Sequence, residues 1–310
     1  MIDDKMQEIK DLLQHFEKRK SRAELRLQET RYNEEGWYFG LYGFQADFEL
    51  MELTVGRIQK IVEPPGEVEL ASALERSDLF SLIGRYSKGL TYELFIKDID
   101  DYKERIFDIA WWIISCIRIK SNVGFIVPFV SNYSWSTIAA APNNSVKIRV
   151  IEDVPKADRY FLDSKVSVND IGWVNNQFIN FATLLSDTRF RIAVDSITTN
   201  HLQHNSRVSI ALLWSGIEAI FGIQSELRFR LSAQIASLLE ERGSSRYKLY
   251  KKIKKLYDVR SKAVHGSAIT EKEIQEHIIE VRELLSNLLV YFIEKKEVLS
   301  TEELEKLLFL

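Results

Sequence analysis

Ser245-Arg-Tyr-Lys-Leu-Tyr-Lys-Lys-Ile-Lys-Lys-Leu-Tyr-Asp-Val-Arg-Ser-Lys-Ala-Val-His265-Gly266 is the stretch whose reading decides the second half of the chain. Tyr250, Ile253, Tyr257, Arg260 and Val264 follow one another at spacings of three and four residues, the period of one helix face. Gly266 stands where such a helix ends. The same texture continues outward. Residues 169–186, 188–201, 206–221, 226–241 and 270–296 each carry helix-period apolar spacing, and residues 302–308 add a short last helix. Gly222 and Gly243 mark further ends, and Thr270-Glu-Lys-Glu273 matches a capping box. With short polar breaks between them, these segments predict an α-helical bundle over residues 166–310.

Upstream the period changes. Trp37 to Phe44, Ala46 to Val55, Tyr92 to Ile96, Gly124 to Phe129, Ser134 to Ala140 and Val146 to Ile151 read as strands, with Pro64-Pro65-Gly66 as a turn. A helix is expected from Tyr102 to Lys120 behind Asp98, Asp100 and Asp101, which are read as capping residues rather than metal ligands. Residues 1–31 read as a charged helix whose thin apolar stripe (Met6, Ile9, Leu12, Leu13, Phe16, Leu25, Leu27) suits a docking or edge position. The fold class is therefore α+β: a mixed domain over residues 1–165 of no assigned role, open to sensing or regulation, then the all-α bundle.

Composition sets the limits on function. Of 310 residues, 45% are hydrophobic and 28% charged, with 17 Phe, 12 Tyr and 6 Trp, the profile of a chain with a sizeable core. Net charge is −3, so a nucleic-acid site has to be a local patch. A single cysteine, Cys116, rules out a disulfide within the chain and favours a reducing, cytoplasmic location. The charged start leads into no signal-peptide core, and the apolar run from Ile109 stops at Arg118, too short for a bilayer. No membrane partner is expected.

The basic helix supplies the candidate chemistry. Between residues 246 and 262, Arg246, Lys248, Lys251, Lys252, Lys254, Lys255, Arg260 and Lys262 are opposed only by Asp258. At about 100° per residue, Lys248, Lys251, Lys252, Lys255 and Lys262 share one face, suited either to solvent or to a phosphate backbone. Arg260 falls on the apolar stripe, where a guanidinium calls for a carboxylate partner, with Glu218 a candidate, or for a cleft. His265 lies about 140° around and about 7.5 Å along from Arg260, so one copy converges them poorly unless the helix end distorts or a second copy pools its pair. Asp258, Ser261 and His265 share a face. They lack the strained elbow and oxyanion hole of a serine hydrolase, so Asp258 and Ser261 are read as orienting the histidine. An arginine with a histidine suits RNA cleavage by the ribose 2′-OH, in which the histidine moves a proton and the arginine steadies phosphoryl charge. That route calls for no cofactor, and the spacing of His201 and His204 lacks further ligands for zinc.

In the setting Leu256-Tyr-Asp-Val-Arg-Ser-Lys-Ala-Val-His-Gly266, the Arg260-x4-His265 string resembles the R-x4–6-H motif of HEPN domains, most closely the Apea-like group. The likeness runs over about residues 205–267, through Leu213-Trp-Ser-Gly-Ile-Glu-Ala-Ile-Phe221 and Leu227-Arg-Phe-Arg-Leu-Ser-Ala-Gln-Ile-Ala236. The resemblance implies a helical bundle that forms a homodimer and pools two Arg260–His265 pairs in one cleft. It further implies a metal-independent endoribonuclease of toxin-like, phage-defence or abortive-infection type, with a regulatory or antitoxin partner. Ser261 departs from the Asn, Asp or His that follows the arginine in many active members. Two other readings stay open. One is a non-catalytic HEPN module that binds RNA or a protein partner, and the other a regulated toxin whose motif is nucleotidylated by a partner enzyme.

Overall fold

The computed structural model describes residues 2–67, 69–70, 80–142, 145–153, 165–203, 205–223, 225–264, 266 and 268–309. His204 and His265 lie outside the described residues. The chain is α+β and divides into two compact units. The first comprises the described residues of 1–111, 125–153 and 165–168, and the second those of 112–124 and 169–310. The helix beginning near residue 106 thus enters the first unit and finishes in the second.

In the first unit, helix α1 (Ile2–Leu27) precedes β1 (Gly36–Tyr42), β2 (Leu50–Leu53), β3 (Gly56–Lys60), α2 (Phe80–Tyr86), β4 (Leu90–Lys97), the start of α3 (Ile106–Lys120), β5 (Phe129–Ser131) and β6 (Ile148–Val150). The six strands form one antiparallel sheet in the order β2-β3-β4-β1-β5-β6. Tyr38, Tyr86, Phe95, Phe129 and Trp135 pack together on it as aromatic core. A polar network is buried beside them. Glu93 accepts hydrogen bonds from Gln59 Nε2 at 2.5 Å, Ser134 Oγ at 2.7 Å and the Trp135 amide at 2.7 Å. Burial pushes its carboxyl upward while those donors pull it down. Arg57, equally buried, meets Glu34 at 2.6 Å and lies 4.2 Å from the Phe95 ring centre.

Four expectations change here. Ser134 to Ala140 is not a strand, because Ser134 and Trp135 turn inward to Glu93 and Ile138–Ala140 closes a short 3-10 turn. Strand β3 was not anticipated, since Arg57 and Gln59 are buried along with Ile58 and the polar–apolar alternation disappears. Helix α3 begins at Ile106, so Asp100 and Asp101 lie in the turns before it rather than at its cap. Finally, α1 docks through arginines instead of its apolar stripe. Arg22 and Arg26 reach Glu63 at 2.6 and 2.9 Å and Arg19 reaches Glu69 at 2.8 Å, while Met6, Leu12, Leu13 and Leu25 stay exposed.

The second unit holds the end of α3 with α4 (Val168–Leu184), α5 (Thr188–Thr199), α6 (Ser206–Phe221), α7 (Leu227–Leu239), α8 (Ser244–Val264), α9 (Glu271–Lys295) and α10 (Thr301–Lys306). Caps fix the starts. Asp187 accepts from the amides of Arg189 and Phe190, Asn205 from those of Arg207 and Val208, and Thr270 with Glu273 forms the expected capping box. Ser300 and Glu303 form a second box. Gly222 ends α6 with a left-handed φ of 60°. Leu213, Trp214, Ile217, Ile253, Leu285 and Phe292 are among the fully buried core residues. Arg282 is buried as well and donates to the carbonyls of Ile197 at 2.7 Å and Val123 at 3.2 Å, tying α9 to the end of α5 and to the segment after α3. No helix among the described residues is long and apolar enough to cross a membrane.

Helix α6 lies so close to α5 that a Cβ on Gly216 would meet Ser196 Cβ at 2.8 Å and Ala193 Cα at 3.2 Å. Helix propensity alone favours alanine over glycine by about 1 kcal/mol. The contact reverses that sign, and Gly216→Ala is expected to destabilise the protein by about 1–3 kcal/mol in denaturant titration. A stabilised variant would refute the close packing.

Candidate functional site

Helix α8 packs on α6 and α7, and its buried face is set by Ile253, Leu256 and Ala263, with Leu249 and Arg260 half-buried in the same rows. The predicted stripe is therefore rotated slightly. Arg260 remains on the inner face, whereas Val264 is exposed. The inner position is tolerated because Glu218 stands opposite: Arg260 Nη2 lies 3.0 Å from Glu218 Oε1 and 3.4 Å from Oε2. Nη2 donates a long hydrogen bond to Oε2, whereas Arg260 Nε and Glu218 Oε1 are screened from solvent and make none. Burial raises the Glu218 carboxyl and Arg260 opposes that rise.

Aromatic rings enclose the pair. The Arg260 guanidinium lies 5.3 Å from the Tyr257 ring centre, and Tyr257 meets Trp214 of α6 edge-on at 5.2 Å. Burial raises the Tyr257 hydroxyl, with Arg260 acting against it. Trp214 Nε1–H donates to His277 Nε2 of α9 at 3.1 Å. At the C-terminal turn of α8, Arg207 donates to the Ala263 carbonyl at 2.6 Å, a cationic cap on an orphan acceptor. These contacts fix the end of the helix that leads to position 265.

The other expected site residues are distributed differently. Asp258 accepts a two-pronged contact from Arg228 of α7 at 2.6 and 2.7 Å, and that bond holds its carboxyl below the usual range. Asp258 is thus engaged by Arg228. Ser261 is half-buried one position beyond Arg260. His265 lies outside the described residues, so Arg260, Glu218, Asp258 and Ser261 are the members of the set that the geometry describes. Lys252 meets Glu280 at 3.0 Å, and Lys252, Lys255 and Lys262 share a cleft of about 270 Å³ with Glu273, Glu276 and Glu280. One of the five lysines on the predicted phosphate-binding face is therefore paired with a carboxylate of α9, and two more share its cleft with glutamates. Lys248 and Lys251 remain exposed. Among the described residues, no group of three or more His, Cys, Asp or Glu side chains is arranged to hold a metal ion.

Sequence reading missed Arg228 and His277. Arg228 has no signal of its own, because its pairing with Asp258 exists only once α7 lies beside α8. His277 falls in an apolar row of α9, Ile274-x-x-His277-Ile278, which could have marked it as buried.

His277 carries a pH signature. Accepting from Trp214 at Nε2 leaves its proton on Nδ1, which is buried without a partner. Burial brings the imidazole down to about 4, with Glu280 acting weakly the other way. An unfolded histidine titrates near about 6.5, so between these values the unfolded chain binds more protons and stability falls as pH drops. The loss attributable to this residue is about 3 kcal/mol between pH about 6.5 and about 4. Denaturant midpoints across that window should show a steeper fall in the wild type than in His277→Gln, and equal slopes would sink the assignment. Comparison of the chain with models of known protein families, with curated proteins and with solved structures yields no match.

Proposed function

We propose that this protein is a metal-independent endoribonuclease of HEPN type, acting in the cytoplasm as a toxin-like effector of phage defence or abortive infection. The observation that carries the reading is Arg260 held on the inner face of α8 by Glu218 at 3.0 Å, under Tyr257, on a helix end capped by Arg207. A guanidinium has five N–H donors, and the contacts with Glu218 run through Nη2 alone. With Nε screened from solvent, the Nη1 donors are those that would meet phosphoryl oxygens as negative charge builds in the transition state. The ribose 2′-OH is the nucleophile, and His265 moves the proton between that hydroxyl and the leaving oxygen. Two chains related by a two-fold axis pool their Arg260 and His265 residues, since one copy spaces them about 140° apart on an ideal helix.

The Arg260–Glu218 pair also favours a second reading, a non-catalytic HEPN module that binds RNA or a partner protein. There the pair serves packing alone. Variants separate the two. Arg260→Ala or His265→Ala should abolish RNA cleavage and toxicity while the dimer persists. The double variant Arg260→Met/Glu218→Leu removes both charges together, which is close to neutral for stability where a single loss costs roughly 1–3 kcal/mol. Under the enzyme reading this double variant is folded and inactive. A wild type that leaves RNA intact, with both single variants as toxic as wild type, would overturn that reading in favour of the binding module.

A further inference from the structure

Opposite the lysine–glutamate cleft, the outer flank of α8 has a different composition. Tyr247 is 60% exposed, and Phe229 of the adjoining α7 is 56% exposed. Tyr250 is half-buried between them, 6.4 Å from Tyr247 with the rings 23° from parallel, and 6.3 Å from Phe229 edge-on. Each tyrosine has a cation on it: Lys251 Nζ lies 4.6 Å from the Tyr247 ring centre and Lys254 Nζ 5.1 Å from that of Tyr250. Arg228, next to Phe229 in the chain, is held in place by Asp258 at 2.6 and 2.7 Å. Large exposed rings gathered in one patch mark a contact surface more often than scattered exposure does.

We propose that Phe229, Tyr247 and Tyr250, with Lys251 and Lys254, form a stacking platform for single-stranded RNA. The choice of RNA rests on the ribonuclease reading, whereas the platform rests on the ring and charge geometry. A protein partner docking by apolar burial is poorly served, because the exposed rings are interleaved with cations that would have to be desolvated. A single strand satisfies both components at once, its base faces on the rings and its phosphates on the cations. A duplex hides its base faces and uses only the charges. The opposite flank of α8 is unsuited to a polyanion, because its lysines face Glu273, Glu276 and Glu280.

Helix geometry gives the platform a direction. Tyr247, Tyr250, Lys254, Asp258 and Ser261 fall within an arc of about 80° at about 100° per residue, and cover about 21 Å at about 1.5 Å per residue. That length matches about six stacked nucleotides at about 3.4 Å each. The row ends at Ser261, so a strand laid along it runs toward the C-terminal end of the helix, where Arg260 lies about 100° around on the inner face.

The test uses the full chain and a fluorescent oligo(U) RNA with 2′-O-methyl riboses, which cannot be cut by 2′-OH attack. Tyr247→Ala and Phe229→Ala remove exposed rings and should each weaken binding about 10- to 100-fold. Tyr247→Phe should restore it, and neither ring loss should change the salt slope. Lys251→Ala and Lys254→Ala should each reduce the slope of log affinity against log salt by about 0.7. A duplex of equal length, or heparin as a polyanion without bases, should bind without dependence on the rings. The proposal is overturned if the strand does not bind, if the ring variants bind as wild type does, or if the duplex binds as tightly with the same dependence. It is equally overturned if ring loss dissociates a dimer and leaves RNA affinity unchanged, which would make a second copy the occupant. Ring-dependent binding with no cleavage of unmodified RNA defeats the ribonuclease reading alone. Cleavage with no ring dependence defeats the platform alone.

Discussion

A guanidinium on the inner face of a helix needs a carboxylate within reach, and the helical unit is arranged around that requirement at Arg260. Glu218 meets it from α6. One turn earlier Tyr257 closes on Trp214, and one turn later Arg207 takes the Ala263 carbonyl. Packing, ion pair and cap thus act at successive turns of the same helix, and together they fix its register on α6. The C-terminal end of α8 is fixed most closely, and it is there that the candidate chemistry lies. Trp214 extends the constraint to α9, because its indole N–H uses His277 as acceptor, while burial keeps that ring neutral.

Charge on α8 is sorted by what each flank faces. The sequence gives an almost uniformly basic helix, which in isolation would bind any polyanion with little preference. Packing against α9 pairs Lys252 with Glu280 and sets Lys255 and Lys262 in a cleft that Glu273 and Glu276 also line, so that the cationic character of this flank is reduced. On the outer flank Lys251 and Lys254 sit over tyrosine rings, and Arg228 is locked by Asp258. One helix therefore presents a nearly neutral cleft on one side and a cationic aromatic surface on the other.

The first unit handles buried charge by the same chemistry. Glu93 lies fully inside the sheet, where three donors replace the water it loses, and Arg57 pairs with Glu34 over Phe95. Helix α1 attaches by arginines converging on Glu63 and Glu69, with much of its apolar stripe left in solvent. In each case position follows from which donors a carboxylate can reach, a property that hydrophobic period does not report.

The sequence by itself determined the helices of the second half, because a period near 3.6 with capping residues and terminal glycines is a local property. It determined the α+β class for the same reason, and it placed Arg260 on an inner face with Glu218 as a candidate partner. It misread β3 and the Ser134–Ala140 segment, where Arg57, Gln59 and Ser134 turn inward to a buried network and the alternation rule loses its basis. It left open which groups of other helices meet Asp258 and the lysines of α8. Only the tertiary structure decided those, since Arg228, Glu273, Glu276 and Glu280 come from other helices. Electrostatic partners are chosen by distance in space, and a single helix period carries no information about its neighbours.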